Sequence, residues 1–435
     1  MNLSAINSVL EREAPALSKA LSPLGLRAFF SPDIPTQAAE ARGKQIDATV
    51  GQITDGRRGA VRLPSLVAAL SGLPTRDLDQ ALLYSPVEGL PEVRRLWRDW
   101  QRREAPSSSP STLPLVTAGL AHGLSLAADL FGGEGRAVVV PQPFWGNYRQ
   151  AFAVRTGARL LTAPSYRDGR FLPHALAEAL GELPEGEPAV VLLNFPSNPG
   201  GYSPVAADRH LLVASLLAAA DRRVLTVVCD DAYAGLVYEP GVPRASLFWE
   251  LAGVHPNLSA VKVDGATKEF SFFGGRVGFL TFALEPDSAA ARAIESKVKM
   301  LVRSGIGSPV AASQVVLLQA LRQESVAGEI EAVRSLLAER YRVLSQALAT
   351  ADPELLSVLP CNSGCFALVE LPERLGITSE AVRRHLLEHH DTGLIAIEPR
   401  YLRIAHCSVD SMALPELVRR LAAAVAELAG SAAKS

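Results

Sequence analysis

The strongest constraint on this chain is a series of short, nearly continuous apolar runs rich in β-branched residues, separated by stretches of helical periodicity. The runs are RAVVVP (136 to 141), AVVLLNFP (189 to 196), RVLTVVCDDAY (223 to 233), LSAVKVDG (258 to 265) and GRVGFLTF (275 to 282). A strand that faces water on one side alternates apolar and polar residues, whereas one that is apolar throughout is covered on both faces. The pattern therefore predicts an α/β fold with a mostly parallel sheet between layers of helices. The last two runs are joined by a short connection, which admits antiparallel pairing.

Further along, long helical patterns take over: EIEAVRSLLAERYRVLSQALATA (329 to 351), SEAVRRHLLEHH (379 to 390) and ALPELVRRLAAAVAELAG (413 to 430), with few strand candidates between them. A chain of 435 residues exceeds one ordinary core, so two domains are expected. The shift in character predicts a large domain over 66–315 and a small α+β domain over 316–435. Residues 1–65 lack a sheet of their own and are assigned to an N-terminal arm and part of the small domain. A Ser-rich turn (106 to 112) and a disordered tail, SAAKS (431 to 435), are the only biased segments.

Hydrophobic residues make up 48% of the chain and charged residues 20%, the balance of a compact soluble protein. A formal net charge of −2 lacks the basic excess of a nucleic-acid-binding surface. The stretch MNLSAINSVLERE is acidic and has no apolar signal run, and nothing later reads as a membrane span, so no membrane partner and a cytoplasmic location are expected. Cys229, Cys361, Cys365 and Cys407 are too scattered for a disulfide framework. Cys361 and Cys365 have no second Cys or His pair to complete a zinc site, so no metal is expected.

The chemistry-bearing residues fall at the carboxyl ends of the expected strands, where open α/β sheets bind ligands. In order they are TAGLAHGL (117 to 124), PQPFWGNY (141 to 148), NFPSNPGG (194 to 201), DDAY (230 to 233), GATKEFSFFGGRVGF (265 to 279) and YLRIAH (401 to 406). Each run is weak alone. Read together across most of the chain, they resemble the class I/II aminotransferases, pyridoxal 5'-phosphate enzymes of fold type I, in a divergent branch. That resemblance implies a seven-stranded, mostly parallel sheet in the large domain and a homodimer with composite active sites.

The resemblance also assigns roles. Lys268, followed eight residues later by Arg276, matches the lysine that holds the cofactor as a Schiff base and then carries a proton at the substrate carbon. A lone lysine is ordinarily a solvated surface charge, and only its setting argues otherwise. Asp230 matches the carboxylate that keeps the cofactor ring nitrogen protonated, with Asp231 pointing to the opposite side of an extended backbone. Tyr233 and Asn198 match the partners of the ring hydroxyl, and Tyr148 is placed within reach of Asp230. Gly119 and the amides of Leu120 and Ala121 at a helix start, with Arg276, suit the phosphate. Thr267 retains one of the family's hydroxyls, while Gly265 stands where another is usual. Trp145 occupies the ring-stacking position, with Phe144 as a competitor.

For substrate, Arg403 matches the guanidinium that pairs bidentately with the α-carboxylate, shared with Asn198. Gly51, in ATVGQI (48 to 53), is a position where backbone can approach the substrate. Tyr84 matches a residue that reaches the neighbouring subunit's phosphate, and Arg303 one that reads a distal carboxylate across the dimer. The implied reaction moves an amino group from an amino acid to a 2-oxo acid in a ping-pong cycle. The same residues also serve pyridoxal lyases and synthases. A cofactor-binding regulator normally carries an added basic DNA-binding module, for which this chain has no spare segment. A dinucleotide dehydrogenase lacks its glycine fingerprint here. The letters leave the substrate open, from glutamate or aspartate to aromatic amino acids.

Overall fold

The computed structural model describes residues 2–30, 34–56, 58–105 and 108–432. The start of the Ser-rich turn and most of the SAAKS tail lie outside the described residues. Seven strands form one sheet: β1 (Leu115–Thr117), β2 (Ala137–Gln142), β3 (Arg159–Pro164), β4 (Ala189–Leu193), β5 (Leu225–Asp230), β6 (Leu258–Gly265) and β7 (Gly278–Phe282). Their order is β1-β7-β6-β5-β4-β2-β3. From β6 across to β3 the pairs are parallel, and β7 runs antiparallel to both β6 and β1. The fold is α/β with a mixed sheet between helices, as the doubly covered apolar runs require. Every residue of β4 and of β7 is buried.

Two strands were not among the expected runs. β1 is three residues long, too short for any periodicity. β3 is the edge of the sheet, and its largely accessible residues lack the apolar continuity of a central strand. The other strands stop where the polar motifs begin. β5 ends at Asp230 and residues 232 to 235 turn away; β4 ends at Leu193, one residue before Asn194.

The helix Leu120–Phe131 leaves β1 through Gly119, whose φ of +80° suits glycine. It buries Leu120, Leu124, Leu126 and Ala127 on the sheet. Gly123 lets it approach closely, because a Cβ there would lie 2.8 Å from the Val263 side chain on β6. This close seat aims the helix N-terminus over the carboxyl ends of β5 and β6.

A second sheet comprises β8 (Ser357–Val358), β9 (Ala367–Glu370), β10 (Ile395–Ile397) and β11 (Tyr401–Ile404), antiparallel in the order β8-β9-β11-β10. Ala367, Val369, Leu402 and Ile404 share a core with Val382 and Leu386 of the helix Ser379–His389 and with Leu417 and Leu421 of the helix Leu414–Ala432. Ile46–Asp47 pairs in parallel with Thr392–Gly393, and Ile46 and Ala48 join the same core. The side-chain amide of Gln37 donates to the Ala396 carbonyl at 3.0 Å and accepts from its N–H at 2.7 Å. Earlier still, Arg27 donates to the Val154 carbonyl at 3.3 Å, so the first segment reaches the helical turn between β2 and β3. Among the described residues no helix is long and apolar enough to cross a membrane.

Candidate active site

A cavity of 190 Å³ opens at the carboxyl ends of β4, β5 and β6, beneath the N-terminus of the helix Leu120–Phe131. Asp230, the last residue of β5, forms part of its wall and is 2% exposed. Its Oδ2 accepts from the Tyr148 hydroxyl at 2.5 Å and its Oδ1 from the Ala232 N–H at 3.2 Å. Burial pushes the Asp230 carboxyl up to about 6; the Tyr148 hydrogen bond works against that shift and Asp231 adds to it. Asp231 turns the other way, accepting from Ser246 at 2.6 Å and pairing with the buried Lys262. Its charge is thereby balanced outside the cavity.

Lys268 lies three residues beyond β6 and faces Asp230 across the cavity. Its Nζ sits 5.4 Å from the centre of the Tyr233 ring and 5.6 Å from that of Phe273. Burial lowers the ammonium pKa, with Arg276 pushing the same way and Asp230 partly opposing. More of the lysine is therefore the neutral amine, the form that attacks a carbonyl.

The opposite end is built for an anion. First-turn amides such as those of Leu120 and Ala121 have no intrahelical acceptor, and both residues line the cavity. Arg276, at a left-handed φ of 53°, lays its guanidinium over Gly119: a Cβ at Gly119 would lie 2.5 Å from Arg276 Nη2. The Thr267 hydroxyl, also in this wall, is buried without a hydrogen-bond partner.

Trp145 lines the cavity, whereas Phe144 does not and instead lies stacked 6.4 Å from Tyr148. Arg403, on β11, approaches from the second sheet and is 2% exposed. It donates to Asn198 Oδ1 at 3.0 Å and to the Thr49 carbonyl at 2.7 Å, with Phe366 under its guanidinium at 4.3 Å. Its Nε is buried without a partner. Burial brings its pKa down to about 10, which leaves it charged at neutral pH.

The structure thus gathers Leu120, Ala121, Trp145, Asn198, Asp230, Tyr233, Thr267, Lys268 and Arg276 around one cavity, with Gly119 behind it and Arg403 joined through Asn198. Three expected residues stand apart within this chain. Gly51 makes room for Phe366, since a Cβ there would lie 2.6 Å from that ring. Tyr84 is 95% exposed, and Arg303 is exposed on the helix Ala289–Ile306. Asn194, not singled out from the sequence, is central: it donates to the Asp230 carbonyl at 2.8 Å and accepts from the Asn198 N–H at 2.7 Å. Its signal was present in NFPSN, where an Asn four residues before another ties a turn back on itself.

The sequence profile of the aminotransferase class I and II family matches residues 44–421, and the chain belongs to that family. It is a pyridoxal phosphate-dependent aminotransferase. The 2-aminoadipate transaminase of Thermus thermophilus is 28% identical, over 83% of this chain and 90% of its own length. Among solved structures, an aminotransferase from Anaerococcus prevotii superimposes with a TM-score of 0.79 at 22% identity, covering 91% of this chain and 97% of its own. The α-aminoadipate aminotransferase of Thermus thermophilus, complexed with N-(5'-phosphopyridoxyl)-L-leucine, gives 0.75 at 23% identity and covers 95% and 98%. At these identities the solved structures speak to the fold.

The residues fit the cofactor. An amine, a buried carboxylate, an aromatic face and a donor-rich anion end share one cavity, and the Thr267 hydroxyl there lacks any acceptor within the protein. Pyridoxal phosphate, when bound, supplies an aldehyde for amines and a protonatable ring that accepts the electron pair left when the substrate Cα–H bond breaks.

Proposed function

We propose that this enzyme transfers the amino group of an amino acid with a large, uncharged side chain to a 2-oxo acid, as a cytoplasmic homodimer. Lys268 captures the cofactor and moves the proton at the substrate Cα. Asp230, held by Tyr148, keeps the ring nitrogen protonated; Tyr233 and Asn198 hold the ring oxygen. Leu120, Ala121, Thr267 and Arg276 bind the phosphate, and Trp145 covers the ring. Arg403 and Asn198 orient the substrate carboxylate. The division into residues 1–65, 66–315 and 316–435 is part of this reading, supported by the arm's bonds to the second sheet.

The observation that carries the substrate class is a cavity of 1140 Å³ that shares Ala121, Trp145 and Asn198 with the cofactor site. Phe29, Phe30, Phe144, Ile306 and Ile397 are among its walls. Its one full cation and two of its polar groups are committed elsewhere: Arg155 pairs with Asp129 through two bonds of 2.8 and 2.9 Å, Gln37 bonds both backbone groups of Ala396, and His122 Nδ1 accepts from the Ala118 N–H at 3.0 Å. An apolar side chain meets the aromatic and aliphatic walls there, whereas a carboxylate finds no uncommitted arginine or lysine. In half-reactions read by bleaching of the cofactor band, kcat/KM for aromatic and long aliphatic amino acids is expected to exceed that for aspartate and glutamate by about 10–200-fold. A dicarboxylate preference contradicts this.

Arg403→Lys keeps the charge and loses the planar fork. KM for every amino acid is expected to rise about 10–100-fold with the cofactor spectrum unchanged; an unaltered KM removes Arg403 from substrate binding.

The dimer is supported by the adjoining Leu82, Leu83 and Tyr84, which are 82%, 69% and 95% exposed, too much contiguous apolar surface for a lone subunit to leave in water. The free thiols of Cys229, Cys361, Cys365 and Cys407 suit a reducing compartment. A second reading attaches to Arg303, on the helix whose last residue, Ile306, lines the wide cavity. If Arg303 enters the partner's site, Arg303→Ala selectively raises KM for dicarboxylates; equal effects on neutral substrates remove it.

A further inference from the structure

The outer face of the small domain carries a side-chain cluster that the transamination chemistry does not use. Two histidines stand at the end of the helix Ser379–His389, His385 within it and His390 as its C-cap, facing Glu427 on the helix Leu414–Ala432. His385 Nε2 is 2.7 Å from Glu427 Oε2, and His390 Nε2 is 3.1 Å from the same oxygen. One ligand atom from each of the three lies within 4.8 Å of the others, the only such group of His, Cys, Asp or Glu among the described residues. The imidazoles are mostly covered, at 20% and 15% side-chain exposure, while Glu427 at 51% keeps one side open to water.

We propose that His385, His390 and Glu427 form a binding site for a divalent transition metal of the zinc class, with water completing a tetrahedron. The ligand types are those of zinc: two neutral imidazoles and a carboxylate, with ligand bonds of about 2.0–2.2 Å. Tetrahedral geometry at those lengths sets ligand atoms roughly 3.3 Å apart. The two His–Glu separations are already within a few tenths of an ångström to about half an ångström of that value. The ion takes the place of the two Nε2 protons, each imidazole carrying its proton on Nδ1 instead, between ligand atoms already converged to within 4.8 Å of one another. Oxygen-only preferences make magnesium and calcium poor occupants of a site with two nitrogens.

The surroundings agree. His390 caps its helix, its N–H donating to the Leu386 carbonyl, so the cation lies at the negative end of the helix dipole. The nearby Arg420 donates to the His390 carbonyl at 2.7 Å, but its charge is engaged by Glu416, also at 2.7 Å. The ligands come from two helices packed in one core with the sheet carrying Arg403, so the ion cross-links the last helix to the helix Ser379–His389.

The test uses chelator-stripped holoenzyme titrated with Zn2+ by calorimetry, with a thermal melt of the same samples. The site predicts one equivalent per chain and a higher melting temperature. Glu427→Gln and His390→Asn should each weaken binding by at least about tenfold and remove the thermal shift, by analogy with the 10–100-fold cost of losing mere supporting groups. His210→Asn, an exposed histidine on the large-domain helix Ala206–Ala220, should change neither. The cofactor absorbance serves as the check that each variant is folded. No binding at micromolar Zn2+, or binding that survives both Glu427→Gln and His390→Asn, overturns the proposal.

Discussion

Lys268→Ala is expected to lower turnover by at least about 10⁴-fold while leaving the cofactor bound. Positioned proton transfer alone contributes about 10²–10⁴-fold, and the lysine's covalent capture of the cofactor adds to that. The cavity keeps its other holds: Asp230 at one end, the Leu120 and Ala121 amides with Arg276 at the other. The variant should therefore retain cofactor through gel filtration, with a spectrum shifted to that of the uncaptured aldehyde. Small primary amines added to the variant should restore part of the rate, because they replace the missing proton carrier without repairing any structural defect. A variant that stays within tenfold of the parent would remove Lys268 from the chemistry. One that loses cofactor and melts early would point to a structural lysine.

Asp230→Asn is expected to cost about 10²–10³-fold in kcat, the usual loss when one preorganised electrostatic partner is removed from a dry site. The amide keeps the shape and cannot hold a proton on the ring nitrogen. The pH behaviour follows from the raised carboxyl. Burial pushes the Asp230 carboxyl up to about 6, above the 3.8 of an unperturbed aspartate. The folded state therefore keeps its proton longer than the unfolded one, and the stability this contributes is present below about pH 4 and lost as pH rises towards 6. A cofactor ring cation held beside Asp230 would reverse the preference, because it favours the charged carboxylate. Apparent cofactor affinity should fall as pH drops below about 6 in the parent and show no such step in Asp230→Asn. Tyr148→Phe, which removes the hydrogen bond opposing the burial shift, should move the step to higher pH. A parent enzyme with flat cofactor affinity from pH 5 to 8 contradicts this role for Asp230.

What could be read from the letters alone was whatever leaves a local pattern. The run LSAVKVDG coincides with β6, and the polar residues just past the apolar runs became the cavity wall because a strand's end delivers its next residues to the sheet's rim. Contacts between segments distant in the chain leave no such trace. Arg403 was legible as an arginine in a strand; its partners, the Thr49 carbonyl and the Phe366 ring, come from far-separated segments. Likewise, nothing in the sequence placed Phe29 and Phe30 over the wide cavity. Trp145 and Phe144 could not be separated by neighbourhood, since which of two adjacent rings faces the cavity depends on how the chain turns after β2. The helical run SEAVRRHLLEHH read as one more amphipathic helix, and only folding set its histidines against Glu427.

Borohydride reduction of the coloured holoenzyme, followed by peptide mapping, asks directly which one of the chain's lysines carries the cofactor. The expected result is a single modified peptide bearing the cofactor mass on Lys268, with the visible band lost in step. Modification at another lysine, or a protein that never acquires the band when incubated with pyridoxal phosphate, contradicts it.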